Sequence, residues 1–133
     1  MLSLPPPRAP TFGEALERLV GQPGVVGALV TARDGLPVAV RMESAEAGET
    51  WSAVTAMLGN LAARLLEEGG DEMETAVFQA VNHQFVVARV QVGFLLAVAQ
   101  PNAEGAALCD RARAAADEVN AATRELIGSR KSG

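Results

Sequence analysis

Residues 73–100, METAVFQAVNHQFVVARVQVGFLLAVAQ, decide how this chain folds. Val77, Gln79 and Val81 alternate with Ala76, Phe78 and Ala80, the period-two pattern of a strand. Asn82-His83 supplies a turn, after which Phe85, Val87 and Arg89 alternate with Val86, Ala88 and Val90. Beyond Gly93, residues 94–99 are apolar at every position, as expected of a strand covered on both faces. Three strands in succession, joined by short turns, form an antiparallel meander. The outermost, Thr75 to Val81, carries no charge, proline or glycine. Soluble proteins usually blunt an exposed strand edge with such residues, because its unpaired N–H and C=O groups accept any passing strand. The bare edge implies a cover, and a second copy of the chain is the expected one.

Working toward the N-terminus, the alternation gives way to helical spacing. In residues 49–68, Trp51, Val54, Leu58, Leu61, Ala62 and Leu65 recur at intervals of three and four and read as the core face of a helix ended by Gly69-Gly70. The opposite face, Ala53, Ala56, Met57, Asn60, Ala63 and Arg64, has a single charge, and its small side chains would let another helix approach. These six, with Thr75, Val77, Phe78, Gln79 and Val81 of the edge strand, are the expected dimer contacts. Upstream, residues 25–31 form a nearly continuous apolar run that turns at Asp34-Gly35 into a short, guarded strand over 38–41. Thr11-Phe12-Gly13-Glu14 is a capping box opening a first helix.

Toward the C-terminus, a last helix over about 104–127 buries Leu108, Ala112, Ala115, Val119, Ala122 and Leu126. It turns Asp110, Arg113, Asp117, Glu118, Arg124 and Glu125 to solvent. The order α-β-β-α-β-β-β-α defines an α+β domain. Placing the two most apolar strands centrally gives a mainly antiparallel sheet of order 2-1-5-4-3, with the first and fifth strands expected to run parallel. The domain spans 11–127, between a proline-rich arm over 1–10 and a tail over 128–133, both expected to be flexible.

Composition narrows the function classes. With 133 residues, 49% hydrophobic and 20% charged, the chain can bury a core without staples. A net charge of −5 argues against nucleic acid, whose phosphates need a basic face; Ser129-Arg130-Lys131 is the nearest thing to a basic cluster. The single Cys109 excludes an intrachain disulfide and favours a reducing, cytoplasmic compartment. No apolar run approaches the length needed for membrane insertion. Gly21-Gln22-Pro23-Gly24 and Gly69-Gly70 are helix stops rather than phosphate-cradling loops. His83, alone in a turn, has no acid or nucleophile beside it, and one His with one Cys cannot form a zinc site. Arg64 could in principle reach a partner's phosphate but reads as a surface residue beside Glu67 and Glu68. No catalytic residues, cofactor or metal are expected. A ligand-binding or enzymatic role on the sheet's concave face has only Gln79, Gln84 and Arg89 to draw on.

The segment Val25-Val26-Gly27-Ala28-Leu29-Val30-Thr31-Ala32-Arg33-Asp34-Gly35-Leu36-Pro37-Val38-Ala39 resembles the opening hairpin of the Roadblock/dynein light chain family. The Ala-rich second helix, the meander and the Gln100-Pro101-Asn102-Ala103-Glu104-Gly105 lead into the last helix extend the likeness over residues 12–126. The resemblance implies a profilin-like sandwich that forms homodimers, or heterodimers with a paralogue, by pairing third strands and packing second helices. It also implies a non-enzymatic regulator of a small Ras-like GTPase, similar to the bacterial gliding-motility regulator. Such a regulator would act by reshaping switch loops without an inserted arginine. The alternative is a structural adaptor insensitive to nucleotide.

Overall fold

The computed structural model describes residues 10–132, with side chains described through Gly128. The expected N-terminal arm therefore lies outside the described residues apart from Pro10, as do the side chains of Ser129, Arg130 and Lys131. Eight elements follow the expected order: α1 (Phe12–Val20), β1 (Val25–Ala32), β2 (Pro37–Arg41), α2 (Ala45–Glu68), β3 (Thr75–Gln79), β4 (Gln84–Val90), β5 (Gly93–Ala99) and α3 (Gly105–Ser132). The strands form one sheet of order β2-β1-β5-β4-β3. α1 opens with the full capping box: the Thr11 hydroxyl accepts from the Glu14 N–H at 3.1 Å, and the Glu14 carboxylate accepts from the Thr11 N–H.

Every neighbouring pair of strands is antiparallel, including β1 with β5, which pair from Val25↔Ala99 to Ala32↔Gly93. The parallel junction expected there is corrected by the length of α2. A 24-residue helix spans about 36 Å, enough to run back along the whole sheet. β3 therefore starts from the end at which β2 started and runs in the same direction. Two hairpin reversals later β5 also runs with β2, and so against β1.

The sheet is covered on both faces. α1 and α3 lie on one, where Leu16, Leu19, Leu108, Ala112 and Val119 pack on Val30, Val86, Ala88, Leu95 and Ala97. α2 lies on the other, over Leu29, Val87, Phe94, Leu96 and Val98. β1 and β5 are sandwiched between the layers, and β5 is buried at every residue. Gln84, 3% exposed, latches the start of β4 to the β5–α3 loop: its side-chain amide donates to the carbonyls of Pro101 at 3.0 Å and Ala103 at 2.6 Å.

Three boundaries and one face differ from the sequence reading. α2 begins four residues early, because Ser44 caps it by accepting the Ala47 N–H at 3.1 Å. β3 ends at Gln79, and Ala80 donates to the His83 carbonyl at 2.9 Å, so the turn takes in Val81. α3 continues to Ser132, past the expected start of the tail at 128; Leu126, read as buried, is exposed. Glu118, read as solvent-facing, is instead half-buried and pairs with Arg18 of α1 at 3.0 Å.

The largest difference is the face of α2. Its buried residues are Gly48, Ser52, Thr55, Ala56 and Gly59, not the large aliphatics. The volume between helix and sheet comes from the strands. A Cβ on Gly48 would stand 2.6 Å from Val40 Cγ1, and one on Gly59 would stand 2.6 Å from the Phe94 ring. Small residues on the helix let large strand residues fill the layer, so α2 sits close to the sheet. Among the residues expected in the core, Trp51 and Ala62 are half-buried against the second core, while Val54, Leu58, Leu61 and Leu65 face outward.

Candidate protein-interaction surface

α2 carries a continuous outward stripe of large apolar side chains. Val54, Leu58, Leu61 and Leu65 repeat at i, i+4, i+7 and i+11, and Met57 flanks them. Leu61, Leu65 and Met57 are 67%, 73% and 72% exposed, and Val54 and Leu58 nearly 40%. Scattered apolar residues are ordinary on a protein surface; five on one face of one helix form a patch of the kind that marks an interaction site. Each of the larger side chains contributes about 1.5–3 kcal/mol when fully buried, before the cost of ordering it is subtracted.

Beside this helix the sheet ends at β3, which hydrogen-bonds to β4 alone among the described strands. Its sequence, TAVFQ, has no charge or proline, so its outer N–H and C=O groups are unguarded. Ala76 and Phe78 point to the α2 face and pack at the margin of the second core, next to the Trp51–Phe85 stack at 5.3 Å. Val77, on the opposite face, is 44% exposed. The stripe and the bare edge thus border the same side of the molecule.

The structure distributes the expected contact residues unevenly. Thr75, Val77, Phe78 and Gln79 lie on the edge strand, and Val81 is 91% exposed in the turn that follows. Met57 adjoins the stripe. Ala56, 3% exposed, is closed within its own chain. Ala53 lies against Gly35, whose Cβ position would be 3.2 Å from the Ala53 Cα; the side-chain amide of Asn60 donates to the Arg33 carbonyl at 3.0 Å. Ala63 is half-buried against the second core, and Arg64 lines a cleft with Arg33 and Arg89. Those residues form the flank of α2 that faces the β1–β2 turn. The outward aliphatic stripe was visible in the sequence but read as core, since periodicity reports two faces without saying which one the sheet takes.

No site of enzyme-like geometry is assembled around the titratable residues singled out earlier. His83 is exposed in the β3–β4 turn, its ring 6.0 Å from that of Phe85. Cys109 is half-buried, packed against the α1–α3 core. Among the described residues, no three His, Cys, Asp or Glu side chains are grouped to hold a metal. None of the described helices is long and apolar enough to cross a membrane.

A five-stranded antiparallel sheet in this order, with one helix on one face and two on the other, is the Roadblock architecture. The chain belongs to that family: the Roadblock/LC7 domain matches residues 11–100. Among solved structures, the Roadblock/LC7 domain from Streptomyces avermitilis is similar at a TM-score of 0.76 and 18% identity, covering 85% of this chain and 95% of its own. The gliding protein MglB from Thermus thermophilus is similar at 0.75 and 18% identity, covering 84% and 87%. MglC from Myxococcus xanthus is more distant, at 0.59 and 19% identity over 80% of this chain and 94% of its own. No curated protein sequence matches. At these identities the likeness establishes the fold.

Proposed function

We propose that the chain is a homodimeric Roadblock-type regulator that binds a small Ras-like GTPase and itself performs no chemistry. The observation that carries the reading is the unguarded β3 edge beside the aliphatic stripe of α2. A second copy supplies both covers at once: its β3 continues the ladder and its α2 stripe meets the first. A seam of one strand and one long helix per protomer would bury roughly 1,600 Å² or more, the size of a stable interface. Membership in the Roadblock family and the likeness to the gliding protein MglB support the regulatory part of this reading. The proposed contacts are Val54, Met57, Leu58, Leu61 and Leu65 with Thr75, Val77, Phe78 and Gln79, and the proposed compartment is the cytoplasm.

The test is co-purification and titration of the dimer with a Ras-like GTPase from the same genome, loaded with GDP or with a non-hydrolysable GTP analogue. The expected result is at least tenfold tighter binding in one nucleotide state, a difference of about 1.4 kcal/mol. Equal binding in both states would move the chain to the class of adaptors. No binding in either state, with a panel of such GTPases, would remove the regulatory reading.

A further inference from the structure

Where the last turns of α2 pass over the end of the sheet there is a cleft of about 310 Å³, lined by Arg33, Arg64, Arg89, Asn60, Glu67 and Phe94 among others. Three separate elements deliver the arginines. Arg89 stands on β4 directly opposite Phe94 of β5, and Thr31 of β1 pairs with the same Phe94 from the other side. Arg33, two residues beyond Thr31, therefore leaves β1 toward the face that α2 covers. Arg64 lies one turn beyond Asn60, and the Asn60 amide, donating to the Arg33 carbonyl at 3.0 Å, ties α2 to the end of β1. Arg33 and Arg89 also line an adjoining cleft of about 620 Å³.

The charge in this cleft is out of keeping with the molecule. The chain has a net charge of −5, yet three guanidinium groups here face one lining carboxylate, Glu67. Among the described residues, none of the three is within ion-pair distance of a carboxylate. Asp71, Glu72 and Glu74 line the adjoining cleft with Arg33 and Arg89, and several of the nearby acids have partners of their own. The Asp34 carboxylate accepts the Leu36 N–H at 3.1 Å, Asp71 accepts the Glu72 N–H at 2.8 Å, and Glu74 pairs with Arg113 at 3.0 Å. Three guanidinium cations lining one cleft raise the local positive potential and favour an anion between them. Their planar forks match the oxygens of a tetrahedral phosphoryl group, which can accept from several of them at once.

We propose that this cleft binds a phosphoryl oxyanion, held between Arg33, Arg64 and Arg89. The ligand is either a free polyphosphate or the phosphate of a small ester. The site requires neither the dimer nor the GTPase, so it stands or falls separately from the regulatory role.

Isothermal titration at constant ionic strength tests it, with inorganic pyrophosphate and glycerol 3-phosphate as probes and added chloride as the control. Saturable binding with a Kd on the order of 1 mM or tighter is expected for at least one probe. The tighter of the two identifies the source. Arg64→Gln should weaken that binding about tenfold, as loss of a charge-assisted contact does, and Arg33→Gln/Arg64→Gln/Arg89→Gln should abolish it. Arg124→Gln, on the exposed side of α3, should leave it unchanged. Circular dichroism of each variant separates loss of fold from loss of binding, and Arg64→Gln alone carries the test if the triple variant unfolds. A signal no larger than chloride gives, or one that survives the triple variant, or one lost equally in Arg124→Gln, would overturn the site.

Discussion

Single residues in this chain show how a close approach differs from an open strain. Gly93 opens β5, and a Cβ there would fall 2.2 Å from the Thr31 carbonyl oxygen. That oxygen belongs to the backbone of a central strand and cannot yield without disturbing the β1–β5 ladder. Gly70, after α2, has φ +75°, but nothing lies within 4 Å of its Cβ position. Gly70→Ala should therefore cost only the left-handed strain, about 1–2 kcal/mol, whereas Gly93→Ala should cost roughly 3 kcal/mol or more through forced strand displacement. Urea denaturation of the two variants side by side measures the contrast. Gln84 is another residue-scale determinant: Gln84→Met keeps the bulk but leaves the loop carbonyls of Pro101 and Ala103 without their donor. A loss of about 1–3 kcal/mol is expected, together with faster amide exchange at the start of α3. Read from the sequence, Gln84 was only a polar residue on a strand; its role as a latch depends on a loop sixteen or more residues away.

At the scale of elements, α2 is the instructive case. It packs on the sheet through glycine, serine, threonine and alanine, and its leucines face away. Substituting the leucines should therefore change association more than folding. Leu61→Glu/Leu65→Glu is expected to give a folded monomer at micromolar concentration by sedimentation, with far-ultraviolet dichroism unchanged. A Gly59→Leu variant should do the reverse, unfolding the domain because the Phe94 ring already occupies that space. If Leu61→Glu/Leu65→Glu instead remained dimeric, the stripe would not be the seam. α1 offers a smaller, local measure: Thr11→Ala removes the hydroxyl half of its capping box, keeps the backbone half, and should destabilise by about 1 kcal/mol.

For the whole molecule, association and stability are linked. A dimer that buries its edge strand stabilises the folded chain by mass action, so Tm should rise with protein concentration. Scanning calorimetry over a hundredfold range of concentration should show this for the native chain and not for Leu61→Glu/Leu65→Glu. The asymmetry of the sheet agrees with this expectation. At one margin, β2 begins with Pro37 and ends at Arg41, whose side chain pairs with Glu17 of α1; the other margin, β3, is bare. The arginine cleft lies at a third location, on the side of α2 facing the β1–β2 turn, so the proposed seam and the proposed anion site are separate surfaces.

Local chemistry was enough to determine the element order, the capping box, the Asp34-Gly35 turn, the central place of residues 94–99 and the uncharged β3, because each rests on neighbours within a few positions. The strand order 2-1-5-4-3 followed from the same signals, since the most apolar strands need cover on both faces. Tertiary structure alone decided which side of α2 meets the sheet, that β1 and β5 run antiparallel, and that Arg33, Arg64 and Arg89 converge. Periodicity marks two faces of a helix but not which one is buried; Val40 and Phe94, distant in sequence, settle that by filling the space where a large helix residue would have to go.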